Sequence, residues 1–530
     1  MTKTTYYLFA SIFLSSLLWL AIIPLWHTPD EQSHLAQTAF LAEMDRNPGG
    51  GELDATEEIF TSEKLLGTAR DKVGNNKFTF HPHYNLEYTN SYYGKYEASI
   101  SALSKTSAKK NLVKAEASYY PKLYYLPGAL LYKLFYSSDL FTRVFVIRGW
   151  SLLLFISNVF VVYKLGELLF SDHKLKALVL TALVGFQPMM IFSNIGVNSD
   201  SLGNLLFTLF LYSSLRLILY GTKLRELFLL TIVSWLAINS KVQFIVILPV
   251  FSILLIFLCL RDIKGRPKWI ILTILFSAAI ILLTHPYGFT QLSSLTVVAD
   301  SLKQINLSSY LKFTREYTFT HTLHEVMPWF WGVYKWLGVT YPISIYRIIN
   351  RIVFLSLVGF TIWLMQVIFK HKWHKREVQC VIFLIFTSIV YFIAISIYDW
   401  LSWYRSSFQL GVQGRYFFPI ISINMLVIIL GLSTLLPKKW NMNQYGSKLI
   451  ILLIMMLNMY ALYFVSSSYY DVSSISRFIT QASQYKPWFF KGNYLLILIS
   501  VCITSFWLFF FQLIFPRENN TRYHSKNENI

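Results

Sequence analysis

Charged residues are scarce in this chain of 530 residues. Only 14% of the residues carry charge, whereas 55% are hydrophobic and 17% are aromatic. Because about a quarter of the residues in soluble domains are charged, this composition excludes an ordinary soluble protein. Apolar stretches of the length that spans a bilayer recur along the chain, and they predict a polytopic membrane protein.

Cysteine is also scarce, with three residues in the whole chain: Cys259, Cys380 and Cys502. All three fall inside predicted spans or at their ends, so a disulfide framework and a cysteine metal cluster are excluded. We expect these side chains to serve packing.

Acidic residues are fewer than basic ones, 27 against 47, which gives a net charge of +20. The basic residues concentrate in short connections between apolar stretches, namely "SDHKLK", "GTKLRE", "RDIKGRPK", "KHKWHKRE" and "PKKW", and in the tail "PRENNTRYHSK". By the positive-inside rule these connections are cytoplasmic. The charge therefore indicates membrane topology and argues against a nucleic-acid partner.

The apolar stretches predict an all-α polytopic membrane protein with about 12 transmembrane helices. The predicted spans lie near 6–26, 145–169, 175–195, 200–220, 227–240, 242–260, 269–285, 346–369, 378–398, 415–436, 448–466 and 493–515. The first stretch could also be a cleaved signal peptide. It lacks an A-x-A-like site and runs straight into "PLWHTPDE", which favours an uncleaved anchor.

Alternation of the spans predicts six regions in a multi-pass protein of the cytoplasmic membrane, with both termini cytoplasmic and the active face extracellular. They are the anchor 1–26, an outer loop 27–144, a transmembrane bundle 145–285, a second outer loop 286–345, C-terminal transmembrane helices 346–515 and a cytoplasmic tail 516–530. Segment 118–135, "SYYPKLYYLPGALLYKLF", would invert every later loop if it crossed the membrane. We therefore predict an interfacial helix there.

The stretch "HTPDEQSH" follows the first span directly. Thr28 and Glu31 form a capping-box pattern with Pro29 at the first helical position, so the motif predicts a helix start. Asp30 would then interact favourably with the helix dipole. The cap itself needs only Thr28 and Glu31, so it gives the Asp30 carboxylate no structural partner. A carboxylate fixed at the rim of the bilayer is also well placed to take a proton from a hydroxyl, and both interpretations stay open.

Two basic residues stand at predicted span ends. Lys241 in "INSKVQF" and Arg415 in "LGVQGRYFFP" could snorkel to the headgroups or bind a phosphate. Gly411 and Gly414 would let the backbone beside Arg415 approach a ligand. A third basic residue, Arg148, is expected to snorkel.

Polar residues mark the start of another span in "GVNSDSLGN". Capping is the commoner role for Asn198 and Asp200, and ligand binding is the alternative. No cofactor is indicated with certainty. A divalent metal stays possible, because Asp30, Glu31 and His34 could join one site.

Six segments resemble, in order, the landmarks of a bacterial membrane-protein family, "domain of unknown function 2142", which is similar to the GT-C superfamily of lipid-dependent glycosyltransferases. They are "PLWHTPDEQSHLAQ", "YYPKLYYLPGALLYKLF", "GVNSDSLGNLLFTLFLY", "NSKVQF", "PWFWGVYKWLGV" and "GVQGRYFFP". The resemblance implies a membrane bundle whose first outer loop carries an acidic catalytic motif. By motif match Asp30 is the base or acceptor-positioning group, and Glu31 is the second acid.

The same segments supply the candidate substrate-binding residues. These are His34, Lys122, Tyr124, Asn198, Asp200, Lys241, Gln413 and Arg415. Lys122 departs from the pattern, since relatives tend to have proline there. Segment 118–135 would correspond to helices that lie parallel to the membrane in such enzymes.

The implied activity is transfer of a sugar from a polyprenyl-phosphate donor to a cell-envelope glycan or lipid acceptor at the outer face of the membrane. An acid on that face cannot meet nucleotide sugars, which are kept in the cytoplasm, so the donor must be lipid-linked. The expected partners are this donor, the acceptor and membrane lipid. A glycolipid transporter or flippase and a non-catalytic envelope-assembly protein are the alternatives.

Overall fold

The computed structural model describes residues 2–46, 48, 56–69, 91–103, 117, 120–171, 173–261, 306–335, 338–436 and 445–515. The helices are α1 Lys3–Ile22, α2 Glu31–Met44, α3 Glu57–Leu65, α4 Glu97–Ser101, α5 Tyr125–Leu134, α6 Leu140–Leu169, α7 Lys174–Gly185, α8 Pro188–Asn194, α9 Asp200–Tyr220, α10 Leu224–Ile238, α11 Ile247–Arg261, α12 Leu307–Phe313, α13 Phe319–His321, α14 Met327–Trp331, α15 Ile343–Phe369, α16 Arg376–Ser406, α17 Ile421–Leu435, α18 Ser447–Tyr469, α19 Ile475–Ala482 and α20 Gly492–Ile514.

Shorter elements connect these helices. The 3₁₀ segments are Val242–Val246, Lys372–His374, Gly414–Ile420 and Trp488–Phe490, and the π-helical turns are Thr314–Thr318 and Thr322–Val326. A two-residue antiparallel ladder pairs β1 Val333–Tyr334 with β2 Val339–Thr340, with Val333 opposite Thr340.

Nine helices in the described part are long and apolar enough to cross a membrane. They coincide with nine of the predicted spans, so the prediction of a helical, multi-pass membrane protein is confirmed. The predicted number of 12 spans is not found in the described ranges. The stretch predicted near 227–240 forms α10, which has only 15 residues, and the one predicted near 269–285 lies outside the described residues.

The span predicted near 175–195 is broken. Helices α7 and α8 meet at an angle of 56°, because Pro188 begins a new helix and cannot continue the old one. The side chain of Gln187 caps α8 by accepting the N–H of Met190, and it donates to the carbonyl of Phe330. The break is thereby fixed to α14.

Buried polar side chains and close glycine contacts hold the bundle together. Ser15 of α1 donates to Asn458 of α18 at 2.7 Å, and Asn458 donates to the carbonyl of Phe186 at 3.0 Å. Helices α15 and α17 approach so closely that a Cβ on Gly431 would lie 1.9 Å from the carbonyl oxygen of Ser356. Small residues permit such backbone contact between membrane helices.

Helix α5 occupies the segment predicted as an interfacial helix, but it begins at Tyr125 rather than at residue 118. One face, including Tyr125 and Tyr132, is buried, and α5 packs against α2 and α6. Leu126, Leu130 and Leu134 are exposed along another face at a spacing of four residues. A helix with both a protein-facing side and an exposed apolar side fits the boundary of a membrane protein.

Candidate functional site

Asp30 stands between the end of α1 and the start of α2. Its backbone is left-handed, with φ 57° and ψ 17°, and it is the N-cap residue of α2 without making a side-chain cap. Instead the carboxylate pairs with Arg415, whose Nη2 lies 2.7 Å from Oδ2. The Asp30 side chain is 33% exposed, whereas that of Arg415 is 5% exposed. The acid therefore faces an opening and the cation lies beneath it.

Arg415 has two donor nitrogens without an acceptor among the described residues. They are Nε and Nη1, and both are buried. A buried guanidinium normally has its donors satisfied, and a planar pair of N–H groups matches the oxygens of a phosphate. The arrangement thus leaves two donors of Arg415 without an acceptor among the described residues.

The local fold fixes Arg415 through the 3₁₀ segment Gly414–Ile420. A Cβ on Gly414 would lie 2.1 Å from the backbone nitrogen of Phe330, so only glycine fits there. The expectation that Gly414 lets the backbone approach a ligand is wrong, because the space is taken by α14. Gly411 has φ +62° and nothing within 4 Å of an added Cβ.

The predicted capping box is also wrong. Helix α2 begins at Glu31 rather than at Pro29. Glu31 is fully buried and bound by Arg148, with Nε to Oε1 at 2.7 Å and Nη2 to Oε2 at 2.6 Å. It also accepts the N–H of Trp26 at 3.1 Å. The carboxylate is held by these partners and cannot reach back to cap the helix.

Arg148 does not snorkel, contrary to expectation. It is fully buried, and besides Glu31 it donates to the carbonyls of Ile23 and Pro24 at 2.9 and 2.8 Å. These carbonyls follow the end of α1, where a cation compensates the unpaired groups of a helix terminus. Arg148 and Glu31 together fix the segment that leads to Asp30.

A second ion pair lies close by. Lys241 is bonded to Asp200 at the start of α9, and both side chains are 13% exposed. Although burial lowers the pKa of Lys241, Asp200 raises it above the usual value. Lys241 is therefore held as a cation by its partner and does not snorkel to a headgroup.

Asn198 links the second pair to the segment before Asp30. Its Nδ2 donates to the carbonyl of Pro29 at 3.2 Å, and its Oδ1 accepts the N–H of Asp200 at 2.9 Å. The second contact satisfies an N–H at the start of α9, as the capping interpretation expects. The carboxylate of Asp200 itself binds Lys241 instead of capping the helix.

Aromatic rings join the two pairs. The His34 ring stacks on Tyr120, with centroids 5.4 Å apart, and Lys241 Nζ lies 5.5 Å from the centroid of the same tyrosine. His34 Nδ1 is 2.5 Å from the hydroxyl of Tyr125. Such contacts between a cation and an aromatic face strengthen when water is excluded.

Burial lowers the pKa of His34 to about 4, and the four charges of the two pairs act on it as well. Asp30 and Asp200 raise that pKa, whereas Lys241 and Arg415 lower it. The charges of both pairs thus act on one histidine, and the two pairs belong to a single cluster around it. The cluster consists of Asp30, His34, Tyr120, Asp200, Lys241 and Arg415.

The remaining predicted residues are Tyr124, Lys122 and Gln413. Tyr124 is fully buried, and its hydroxyl bonds Ser151 at 2.7 Å and accepts the N–H of Asn198 at 2.9 Å. It therefore supports the backbone of Asn198. Lys122 lies in the turn before α5 and is partly exposed. Gln413 is partly buried and its carbonyl accepts the N–H of Tyr416 at 3.1 Å. Among the described residues, neither the Lys122 nor the Gln413 side chain makes a hydrogen bond or an ion pair with the cluster.

Sequence reasoning missed Tyr120, Tyr125 and Arg148. The two tyrosines lie in a segment that was singled out for its tyrosines, yet nothing in the pattern tells which ring will face His34. For Arg148 the signal was a basic residue within an apolar stretch. Such a residue demands an acidic partner when it is buried.

The described residues contain no group of three or more histidine, cysteine or acidic side chains placed to hold a metal ion. Asp30, Glu31 and His34 do not converge, because Glu31 turns to Arg148. The metal site that these three residues could have formed is therefore not the arrangement present.

Residues 13–424 match a family described as "predicted membrane protein (DUF2142)". No curated protein sequence matches the chain. Among solved structures the chain is similar to ArnT from Cupriavidus metallidurans bound to undecaprenyl phosphate, at 11% identity and a TM-score of 0.39, over 95% of this chain and 77% of that one. It is also similar to the Archaeoglobus fulgidus oligosaccharyltransferase, at 12% identity and a TM-score of 0.40, over 87% of this chain and 53% of the oligosaccharyltransferase.

Proposed function

The chain belongs to the DUF2142 family of membrane proteins, and we propose that it is a glycosyltransferase that moves a sugar from a polyprenyl-phosphate donor to a cell-envelope glycan or lipid acceptor. The observation that carries the proposal is the Asp30–Arg415 pair. It presents a half-open carboxylate beside a buried guanidinium whose Nε and Nη1 have no partner among the described residues. Transfer from a phosphate needs a proton acceptor and a cation side by side.

The proposed reaction is a single displacement. Asp30 accepts the proton of the acceptor hydroxyl while that oxygen attacks the anomeric carbon of the donor sugar. The bond between the anomeric carbon and the phosphate oxygen breaks, and both of its electrons stay on the lipid phosphate. Arg415 and Lys241 stabilise the charge on that leaving group. Attack opposite the leaving group inverts the anomeric centre.

The Asp30–Arg415 pair must open or be shared for this reaction. Asp30 Oδ2 already accepts a hydrogen bond from Arg415 Nη2. A donor phosphate would compete for Arg415 and leave Asp30 free to accept a proton. A donor phosphate would compete with Asp200 for Lys241 in the same way.

The orientation of the site supports a lipid-linked donor. The basic connections between spans favour a cytoplasmic position for the opposite ends of the helices, which would place Asp30 on the outer face. Nucleotide sugars are kept in the cytoplasm and would not reach it. Glu31 is not proposed as a second catalytic acid, since it forms a fully buried ion pair with Arg148.

The decisive experiment compares two aspartates of one helix. Asp30 and Asp45 flank α2, and both have left-handed backbone, but Asp45 is 80% exposed and pairs with Lys133 away from the cluster. Purified wild type, Asp30→Asn and Asp45→Asn in nanodiscs would be given a fluorescent polyprenyl-phosphate sugar and a membrane glycan fraction as acceptor. Asp30→Asn should lose about 10²-fold or more of the transfer rate, and Asp45→Asn should keep it.

Wild-type transfer by Asp30→Asn would refute the assignment of the base. A vesicle assay on the same samples separates the alternatives. Movement of the glycolipid across the bilayer without any change of its mass would favour a transporter.

A further inference from the structure

Helix α15 is the span with the least protein around it in the described part of the chain. Only 17% of its most apolar stretch is buried inside the protein, whereas this share is 28–67% in the other eight spans found there. The main helix that it packs against is α17. Its buried residues form one stripe: Tyr346, Ile349, Ser356, Gly359 and Val367. The rest of its surface therefore faces the membrane.

Arg347 and Arg351 lie on the face of α15 opposite to this stripe. Each is two positions from the buried Ile349, and two positions turn an α-helix by about 200°. Both arginines are exposed, and the exposed side chains of Phe354 and Val358 continue the same face farther along the helix. The two guanidiniums therefore point away from the protein.

Neither arginine has a protein partner in the described ranges, where no ion pair or hydrogen bond of either guanidinium is found. Positions i and i+4 of a helix are neighbours on its surface, and like charges there repel each other. Arg347 and Arg351 have this spacing. An anion bound between them would remove the repulsion.

The sequence of α15 places the two arginines at the edge of the hydrocarbon core. Residues 352–369 carry no charge, and as a helix they span about 27 Å, close to the thickness of that core. Arg351 directly precedes this stretch, and Arg347 lies about 6 Å farther out along the helix. Long basic side chains at this level extend into the headgroup layer, where the lipid phosphates lie.

This end of α15 lies on the same side of the bundle as the cluster. The hydroxyl of Tyr346 donates to the carbonyl of Gly332, which follows α14. Phe330 of α14 in turn contacts Gly414, the neighbour of Arg415. The positive-inside rule predicts that this side is extracellular. The rule explains the basic residues beyond the other end of α15, but it does not explain two arginines at this end.

We propose that Arg347 and Arg351 bind the phosphate of an anionic phospholipid in the leaflet on the cluster's side of the membrane. The planar N–H groups of a guanidinium match the oxygens of a phosphate. A headgroup that carries an ammonium compensates its own phosphate, so two adjacent cations select a lipid without one, such as phosphatidylglycerol. This inference does not rest on the proposed transferase function, because it needs only the membrane-spanning α15 and its two cations.

The test is photolabelling of the full chain in phosphatidylcholine nanodiscs. A trace of phosphatidylglycerol, or the same trace of phosphatidylcholine, would carry a diazirine in the acyl chain near the glycerol. Mass spectrometry would quantify the labelling of peptide 343–355, and the ratio of the two labelling yields measures the preference for the anionic lipid.

Three double variants accompany the wild type. Arg347→Gln with Arg351→Gln removes both charges, and Arg347→Lys with Arg351→Lys keeps them. The matched control is Lys372→Gln with Lys375→Gln, which removes two exposed charges beyond the other end of α15.

In the wild type, the phosphatidylglycerol probe should label this peptide about five-fold more than the phosphatidylcholine probe, or better, since one cation at a membrane surface has an effect of that size. The ratio should fall to about one in the glutamine variant of the arginines. It should stay well above one in the lysine variant and should equal the wild-type ratio in the control.

A wild-type ratio near one would overturn the proposal, and this measurement needs no variant to fold. An unchanged ratio in the glutamine variant of the arginines, or an equal loss in the lysine control at the other end of α15, would also overturn it. Unlabelled polyprenyl phosphate or inorganic phosphate is added in a last arm. If either displaced the probe where the same amount of unlabelled phosphatidylglycerol did not, the arginines would bind that anion and the phospholipid site would be refuted.

Discussion

Asp30 and Glu31 are adjacent acids, and each is bound by one arginine, yet their surroundings are opposite. The side chains of Glu31 and Arg148 are both 0% exposed, whereas Asp30 is 33% exposed over an arginine that is 5% exposed. Arg148 uses Nε, Nη1 and Nη2 on protein acceptors. Arg415 uses Nη2 alone among the described residues.

The difference separates a structural pair from a reactive one. A buried ion pair persists only when its remaining donors and acceptors are satisfied, and then it is costly to disturb. Arg415 keeps two donors that no described protein atom accepts, so a ligand can bind it without first displacing all of its protein contacts. The turn at residue 30 sends one carboxylate inward and leaves its neighbour at the opening.

Glu31→Gln should have the largest effect on stability. Removing one partner leaves the Arg148 guanidinium buried without its counter-charge, which costs about 3–5 kcal/mol. We expect a strong fall of the Tm in detergent, measured by the fluorescence of the purified protein. Glu226→Gln is the control, because its partner Arg216 is 37% exposed and solvent can take over. Equal Tm changes in the two variants would contradict the distinction between sealed and open pairs.

The next effect concerns pH and His34. Burial lowers the pKa of His34 from 6.5 to about 4, so between these values the unfolded chain binds a proton that the folded chain does not. Stability therefore falls as the pH falls through this window, by at most ~3 kcal/mol, and this contribution vanishes above pH 6.5. His34→Gln cannot titrate and should show a shallower loss of Tm between pH 6.5 and 4. His374→Gln, at an exposed histidine, is the control and should lose Tm with falling pH as the wild type does. If His34→Gln also lost Tm as steeply as the wild type, a buried neutral His34 would be excluded.

Arg415→Lys sharpens the comparison from the side of the cation. Lysine keeps the charge but offers a point charge in place of a planar set of donors. We expect the KM for the polyprenyl-phosphate donor to rise about ten-fold, which corresponds to ~1.4 kcal/mol. Arg351→Lys, at an exposed position of α15, should leave the donor KM unchanged. An unchanged donor KM in Arg415→Lys would remove the phosphate-binding role from this guanidinium.

The fold class could be predicted from sequence because apolar length is a local property. Nine predicted spans coincide with helices of sufficient length. The sequence also marked Asp30, Lys241 and Arg415, since an ionisable residue at the end of an apolar stretch stands out. Their pairing could not be predicted, because Asp30 and Arg415 are 385 positions apart and meet only through the tertiary fold.

The errors have a common physical reason. Thr28 and Glu31 fit a capping box locally, but the buried Arg148 offers Glu31 two short charge-assisted bonds. A tertiary ion pair outweighs a local cap that is worth about 1 kcal/mol. Gly414 was likewise predicted to face a ligand and instead faces Phe330. Local patterns indicate that a residue is special without indicating its partner.

The smallest expected effect concerns the backbone of Asp30. A left-handed residue tolerates asparagine and glycine, whereas alanine there costs about 1 kcal/mol or more. All three variants remove the carboxylate that pairs with Arg415, so each should lower the Tm. The backbone adds to this loss in Asp30→Ala alone, which should melt a few degrees below Asp30→Asn and Asp30→Gly. The same order is expected at Asp45, whose φ is 54°. If Asp30→Gly lowered the Tm as much as Glu31→Gln does, the Asp30–Arg415 pair would be a structural pair too, and the contrast between the two adjacent acids would disappear.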